Sequence, residues 1–498
     1  MSDRGLILAI DQGTTGSTAL LINSELEVIA KANQEFPQIY PKPGWVEHDP
    51  QDIWESVRAA VTEALKLANA QTSQIRAIGI TNQRETSLLW DRETSEPIHN
   101  AIVWQCRRTS ERCAELRAAG HESLVRDRTG LVLDPYFSGT KAAWSLDNVP
   151  GARARAQAGE LAFGTIDTYL VWRLTAGSIH ITDVTNASRT MVMDIHRGVW
   201  DEELAEMLDL PMSILPRIVS SSEVYGETQG VDFLPDGIPV SGIAGDQQAA
   251  LFGQACFEPG QAKSTYGTGA FVLMNTGTQA PKSENGLLTT IAWKLGEGPT
   301  VYALEGSVFI AGAAVQWLRD ELKILESAAA IEPLAESVED SGGVWVVPAF
   351  AGLGAPYWDA EARGAILGLT RGSNRGHIAR ATLDGIAHQV ADVVEAMSAD
   401  SGRSLEGLRV DGGAAANDLL MNIQSDLLGT EVARSAILET TGLGAALLAG
   451  LAVGFWSSTD DITKRWAADR SFAASGDRAE RENQRKSWRE MVNRVRES

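Results

Sequence analysis

The chain opens with three short apolar runs, residues 6–10, 18–22 and 26–30, parted by short polar turns, and this pattern predicts a meander of strands. An apolar stripe at helical spacing over 52–68 predicts an amphipathic helix. Runs at 75–81 and 87–90 predict strands around a polar turn, so the first half reads as mixed α/β. Half a chain later the opening pattern returns, because KSTYGTGAFVLMN is again strand, glycine-threonine turn and apolar strand. A recurrence near the midpoint predicts two halves of similar build.

Further segments add strand-to-helix junctions. LRVDGGAAANDLLMNIQSDLLG runs from a strand through Asp411-Gly412-Gly413 into a helix spaced by Leu419, Leu420, Ile423 and Leu427 and closed by Gly429. PVSGIAGDQQAALFG brings Asp246 to the end of an apolar strand and the start of a helical run. Residues 442–456 are uncharged and rich in Gly and Ala, a stretch shorter than the ~20 residues of a membrane span and suited to a buried helix. Residues 476–498 are dense in charge, with Trp488, Val492 and Val495 at helical spacing, as in a solvated helix docked by one edge.

At 498 residues the chain exceeds one ordinary core, and two domains of about 250 residues are expected. With 43 basic and 65 acidic residues the net charge is −22, a field that repels nucleic-acid backbones. Cys106, Cys113 and Cys256 cannot all pair and form no C-x-x-C, so neither a disulfide scaffold nor a thiolate zinc site is expected, and a reducing cytoplasm fits. The first apolar run is too short for a secretory signal, and no membrane insertion is expected.

The first loop, IDQGTTGST, differs from the familiar phosphate loops because a strand, not a helix, follows it. Asp11 would project from a strand end, where a carboxylate can hold hydrated Mg²⁺. Gly13-Thr14-Thr15-Gly16 offers unhindered amides and two hydroxyls, either a phosphate nest or a plain hairpin turn. Gly267-Thr268-Gly269 carries less information alone, but two such hairpins face to face could grip a polyphosphate. Gly412-Gly413 would let a nucleobase or ribose lie against backbone near Asn417, or would serve close packing. Asp246 is either a helix cap or a general base.

Longer motifs span essentially the whole chain: DQGTT, FPQIYPKPGWVEHDP, GITNQRET, NAIVWQCRRT, DPYFSGTK, TDVTNASRTM, SGIAGDQQAALFGQ, TYGTG, KSENGLLTTIA, VPAFAGLGAPYWD and RVDGGAAAN. Through them the sequence resembles the FGGY family of carbohydrate kinases, and around Arg84-Glu85 it resembles the members acting on glycerol more than those acting on sugars. The resemblance implies an α/β, two-domain actin-like ATPase fold with a ribonuclease-H-like core in each domain, divided at 1–253 and 254–498 around a catalytic cleft. It also implies ATP-dependent phosphorylation of glycerol to sn-glycerol 3-phosphate with Mg²⁺, and a homo-oligomer, dimer or tetramer.

Carried over by position, Glu85 would accept hydroxyl hydrogen bonds of the triol, Arg84 would donate to its oxygens, and Tyr136 and Gln247 would add contacts. Trp104 and Phe271 would wall the carbon skeleton. Asp246 would take the proton of the attacking hydroxyl and, with Asp11, serve Mg²⁺. Thr14, Thr15, Gly16, Thr268, Gly312, Gln316, Gly413 and Asn417 fall at nucleotide positions.

Three departures stand out. Thr18 occupies a place where the family commonly has a phosphate-contacting Arg, and Ala142 replaces a larger apolar residue. The loop 230–237, GVDFLPDG, has two acids and no cation, so a bisphosphate effector is not expected there. Two rival readings remain: a kinase for another small polyol or ketose, and a non-enzymatic nucleotide switch, for which the polyol residues would have no purpose.

Overall fold

A computed structural model describes residues 5–497. Its frame is two sheets of matching topology. The first contains β1 (Leu6–Gln12), β2 (Gly16–Ile22), β3 (Val28–Glu35), β4 (Ile75–Asn82), β5 (Ser222–Glu227) and β6 (Pro239–Gly245), in the spatial order β5-β6-β4-β1-β2-β3. The second contains β7 (Gln261–Tyr266), β8 (Ala270–Gly277), β9 (Leu288–Lys294), β10 (Thr300–Val308), β11 (Gly407–Asp411), β12 (Val432–Ser435) and β13 (Ala468–Phe472), ordered β9-β10-β8-β7-β11-β12-β13. In both, the leading hairpin is antiparallel, and two parallel strands follow on its other flank. An antiparallel strand closes that flank in each. The recurrence around KSTYGTG is therefore a repeat of topology, with β7-β8 in the place of β1-β2.

Local chemistry explains the elements. Alternate residues of β1 enter two different cores, Leu6, Leu8 and Ile10 on one face and Ile7 and Ala9 on the other, which is why the run is apolar throughout. The helix α1 (Pro50–Ala68) starts with Asp49 accepting from the Gln51 amide at 2.8 Å and Pro50 in the first turn, and ends at Asn69 in the left-handed region. It buries Ile53, Trp54, Val57, Val61 and Ala64 against β2 and β3. The third run differs from expectation: Leu26 lies in the turn with φ 65°, and the strand begins at Val28 and continues to Glu35 as an edge whose side chains alternate in exposure.

Between the sheets lies a layer of two helices, α2 (Asp246–Gly253) and α6 (Thr440–Ala452). Three helices cover the far side of the second sheet, α3 (Gly312–Asp320), α4 (Arg375–Ser401) and α5 (Asp418–Leu428). Although it comes from the second half of the chain, α6 packs on β1, β4 and β6, and α2 packs on α6 and against β8 and β9. Small residues allow this approach: a Cβ on Gly79 would sit 2.1 Å from the Ala445 carbonyl oxygen, and one on Gly444 would sit 1.8 Å from that of Ala249. The uncharged stretch at 442–456 thus supplies most of a buried helix, as its composition implied, and its last four residues form the turn that follows. The last helix, α7 (Arg478–Arg496), docks by Trp488, Met491, Val492 and Val495 and leaves most of its charges outside.

An insertion between β4 and β5 supplies Ser87–Asp91, Ala101–Ile102 and Leu161–Thr165, which join Glu47–His48 from before α1 in a four-stranded sheet with helices beside it. It carries several polar residues of the site described below. Gly444→Ala should force backbone of α2 and α6 apart and destabilise the protein by about 1–3 kcal/mol or more, read as a lower thermal midpoint. Gly372→Ala, where the nearest atom to a Cβ is 3.8 Å away, should stay within about 0.5 kcal/mol of the parent.

Candidate active site

Arg84 and Glu85 stand in the turn just after β4, separated from its end by one residue, and are 2% and 1% exposed. Glu85 adopts φ 62°, the left-handed region, and its carbonyl accepts from Lys141 Nζ and Ser138 Oγ, both at 3.1 Å. Its carboxylate is gripped by Arg189 Nε at 2.7 Å, while Arg84 Nε stands 3.7 Å away. The tight partner of Arg84 is Glu305, not Glu85: both terminal nitrogens donate to it, Nη2 at 3.0 Å. Arg84 Nη2 also reaches Tyr136 Oη at 3.3 Å, and Nε lies 3.2 Å from Asp246 Oδ1.

Asp246 is the first residue of α2, with Gly245 as the cap, so helix capping does not account for it. Its Oδ1 accepts from the Gln247 amide at 2.7 Å, and Oδ2 has no partner among the described residues. Burial pushes its carboxyl up, and Arg84 opposes the rise. Gln247 accepts from Lys263 Nζ, which also donates to Thr265 Oγ1 at 3.0 Å. Burial lowers the Lys263 ammonium to about 8.

The second sheet contributes one continuous face. Phe271 pairs with Thr265 and Ser307, and Leu273 pairs with Lys263 and Glu305, so Lys263, Thr265, Phe271 and Glu305 share a side. That side meets the first domain. Burial alone would raise the Glu305 carboxyl, but the Arg189 and Arg84 guanidinium groups outweigh it and hold it at about 2. Trp104 donates from Nε1 to Thr14 Oγ1 at 2.9 Å and stands edge-on to Tyr136 with centroids 5.6 Å apart, joining the polyol candidates to the first loop.

In that loop Gly13 N donates to Gly16 O at 2.9 Å. Thr15 is exposed, and Gly16 opens β2, where a Cβ would lie 2.8 Å from Gln34 O. Thr18, in the place of the usual Arg, sits across the ladder from Asp11 and accepts from Asn33. In the loop 230–237, Asp232 is engaged by Arg58 at 2.6 Å.

Five nucleotide candidates line one cavity of 570 Å³ in the second domain: Thr268, Gly312, Gln316, Gly413 and Asn417. Val315, Ile331, Leu383 and Leu420 add apolar wall. Gly312 must be glycine there, since a Cβ would stand 2.6 Å from Gly267 O. Asn417 Oδ1 caps α5 by accepting from Leu420 N at 2.7 Å, which leaves its amide nitrogen for a ligand.

Asp11 is the penultimate residue of β1 and stands near Asp246. Burial, then the negative charges of Asp246 and Glu439, push its carboxyl up to about 7 against the pull of Lys31. Two carboxylates crowded at a cleft, with no third metal-binding side chain grouped with them among the described residues, fit a cation that takes one or two protein carboxylates and completes its shell with water and phosphate. Sequence reasoning missed Glu305, Arg189, Lys141 and Lys263. For Glu305, Lys141 and Lys263 the available signal was a charge inside a strand or helix, as in VYALEGSVF, whereas Arg189 sits in a turn.

The raised carboxyl of Asp11 makes a pH prediction. The folded state holds its proton above the ordinary 3.8, so stability from this group falls as pH rises from there to about 7. Asp11→Asn should therefore raise the thermal midpoint of the ligand-free protein near pH ~8 and leave it unchanged near pH ~4.

Residues 6–253 match the FGGY family of carbohydrate kinases, N-terminal domain, and residues 262–453 match its C-terminal domain. A glycerol kinase of Symbiobacterium thermophilum is 58% identical over 494 residues, covering 99% of both chains. One of Carboxydothermus hydrogenoformans is 57% identical, covering 99% of this chain and 98% of its own. The crystal structure of Plasmodium falciparum glycerol kinase with ADP superposes with a TM-score of 0.94 at 38% identity, covering 99% of this chain and 98% of that one. At 21% identity, a gluconate kinase from Lactobacillus acidophilus shares the fold with a TM-score of 0.89. With both halves matched in order and its closely similar relatives aligned from end to end, the chain belongs to the FGGY family of carbohydrate kinases.

Proposed function

We propose that this kinase transfers the γ-phosphoryl group of ATP to a terminal hydroxyl of glycerol, giving sn-glycerol 3-phosphate. The observation that carries the reading is Asp246. Its Oδ2 is unpartnered on a carboxylate that meets Arg84, which also reaches Tyr136 and stands near Glu85, and whose charge acts on Asp11 beside the first hairpin loop, so that an acceptor hydroxyl and a phosphate would meet there. The kinase names of the similar proteins support the same substrate pair.

In this reading the triol lies between Glu85, which accepts its hydroxyl protons, and Arg84, which donates to its oxygens, with Trp104, Tyr136 and Phe271 along the carbon chain. Gln247 adds a contact, oriented by Lys263. Asp246 takes the proton of the attacking hydroxyl; a carboxyl raised by burial is a stronger base than a solvated one, and Arg84 opposes the rise. The nucleotide base and ribose occupy the cavity of Gln316, Gly413 and Asn417, and the phosphates run toward Thr268, Thr14 and Thr15. Asp11 and Asp246 are the carboxylates that would hold Mg²⁺, which supplies charge neutralisation at the phosphates. Aligning the two reactants and excluding water account for most of the work, as phosphoryl transfer requires little covalent chemistry of the protein.

A cytoplasmic setting is part of the proposal, supported by three buried free cysteines. No helix among the described residues is long and apolar enough to cross a membrane. So is a homo-oligomer, dimer or tetramer, which sedimentation of the purified protein tests.

ADP release from ATP and Mg²⁺ across glycerol, dihydroxyacetone, glyceraldehyde, erythritol and xylulose tests the substrate; a higher kcat/KM for any of the others than for glycerol replaces this reading by that of another small-polyol or ketose kinase. Asp246→Asn should lower kcat by about 10²- to 10⁴-fold with nucleotide binding nearly intact. Asn417→Asp should keep the helix cap and weaken ADP binding, whereas Asn417→Ala should do both that and lower stability by about 1 kcal/mol, a pair separated by calorimetric titration and thermal melts.

A further inference from the structure

Glu305 is a carboxylate in the middle of β10, flanked by Leu304 and Gly306, and only 1% exposed. A charge in that setting needs partners, since an unpaired buried ion is strongly unfavourable. Its hydrogen-bond donors are Arg84 through two nitrogens and Arg189 through Nη2 at 3.0 Å. Both arginines come from the first half of the chain, and no described residue of the second domain donates to it. Lys263 shares its sheet face, yet the ammonium goes to Gln247 and Thr265.

A guanidinium held by two parallel N–H···O bonds has its plane fixed. Here the fork fixes the direction of the remaining donors: Nε faces Asp246 and Glu85, and Nη2 also meets the Tyr136 hydroxyl. Arg189 repeats the arrangement, with Nε on Glu85 and Nη2 on Glu305. We propose that Glu305 is a positioning residue for the polyol site: from across the domain boundary it orients Arg84, directly, and Glu85, through Arg189, so that glycerol binds tightly only when the two domains are together. The proposal rests on the reading of Arg84 and Glu85 as polyol-binding groups.

The geometry separates this role from simple adhesion of the domains. The apolar layer of α2 and α6, with Leu273, Ala303 and Leu443 in its core, lies directly beside Glu305 and joins the sheets by apolar contact that does not depend on the Glu305 charge. The nucleotide cavity is likewise lined by other residues. Loss of the Glu305 charge should therefore reach the polyol and spare the nucleotide.

The test uses the full chain and steady-state kinetics with glycerol and ATP varied in turn. Glu305→Gln, which keeps the shape and loses the charge, should raise the glycerol KM about tenfold or more, with the ATP KM little changed. Glu305→Asp, which keeps the charge on a shorter arm, should fall between the two. Thermal melts give a second readout: ADP should still raise the midpoint of Glu305→Gln, while glycerol should no longer do so. A variant with both KM values unchanged, or with both raised equally, would overturn the proposal. If Glu305→Gln does not fold, the same comparison on Glu305→Asp decides it. Tyr136→Phe tells the two readings apart. If it raises the glycerol KM and the Glu305 variants do not, only the role of Glu305 falls; if neither moves it, the polyol site itself is misplaced.

Discussion

Backbone contact between α2 and α6, open to them because Gly253 and Gly444 carry no side chains, ties the second half of the chain to the first sheet. A Cβ on Gly253 would meet the Thr440 carbonyl oxygen at 2.0 Å, and one on Gly242 would meet Ala449 N at 2.4 Å. Dispersion falls steeply with distance, so a seam of this closeness holds the two sheets in a defined relation without large side chains. Asp246 is the first residue of one of these helices, and Glu439 and Thr440 begin the other. The seam thus sets where the acidic end of the first sheet stands relative to the second.

Electrostatics depends on that relation. Arg84, Arg189 and Lys263 face Glu85, Glu305 and Asp246, three cations against three anions, all but Asp246 nearly closed to water. Each group alone would be costly to bury, and together they neutralise one another. The balance is local, since most of the chain's −22 charge lies elsewhere. Asp11 stands beside this set, where burial and the charges of Asp246 and Glu439 raise its carboxyl against the pull of Lys31, a setting that suits a bound cation.

Repetition of one strand topology gives the cleft its two-sided character. Each sheet presents a hairpin at the same place in its order, Gly13 to Gly16 in one and Gly267 to Gly269 in the other, and each hairpin is closed by its own short backbone bond. The second is further pinned by the start of α3, whose Ala311 and Ala313 amides donate to Thr268 O at 2.8 and 3.1 Å. Polar support for the first comes from Gln83, which reaches Gln12 Oε1 at 3.0 Å and Gly13 O at 3.2 Å, and from Gln38, which reaches Thr14 O at 3.0 Å. Loops anchored in this way can present amides to a phosphate without first being ordered by it.

The sequence by itself determined the alternation of strands and helices, the doubled hairpin pattern, the buried character of the helix that begins the uncharged stretch 442–456 and, through its long motifs, the family and the principal polar residues of the site. These are local or linear signals: apolar period, turn residues, and runs of identity that survive without any knowledge of contacts. The structure alone decided that a helix from the second half packs on the first sheet, because that depends on which glycines face each other in space. It alone decided that Arg84 is held by Glu305 across 221 positions of sequence, with Arg189 on Glu85 across 104. A charged residue in an apolar strand announces that a partner exists, but the partner's identity is set by the packing of two sheets, and no spacing along the chain encodes it.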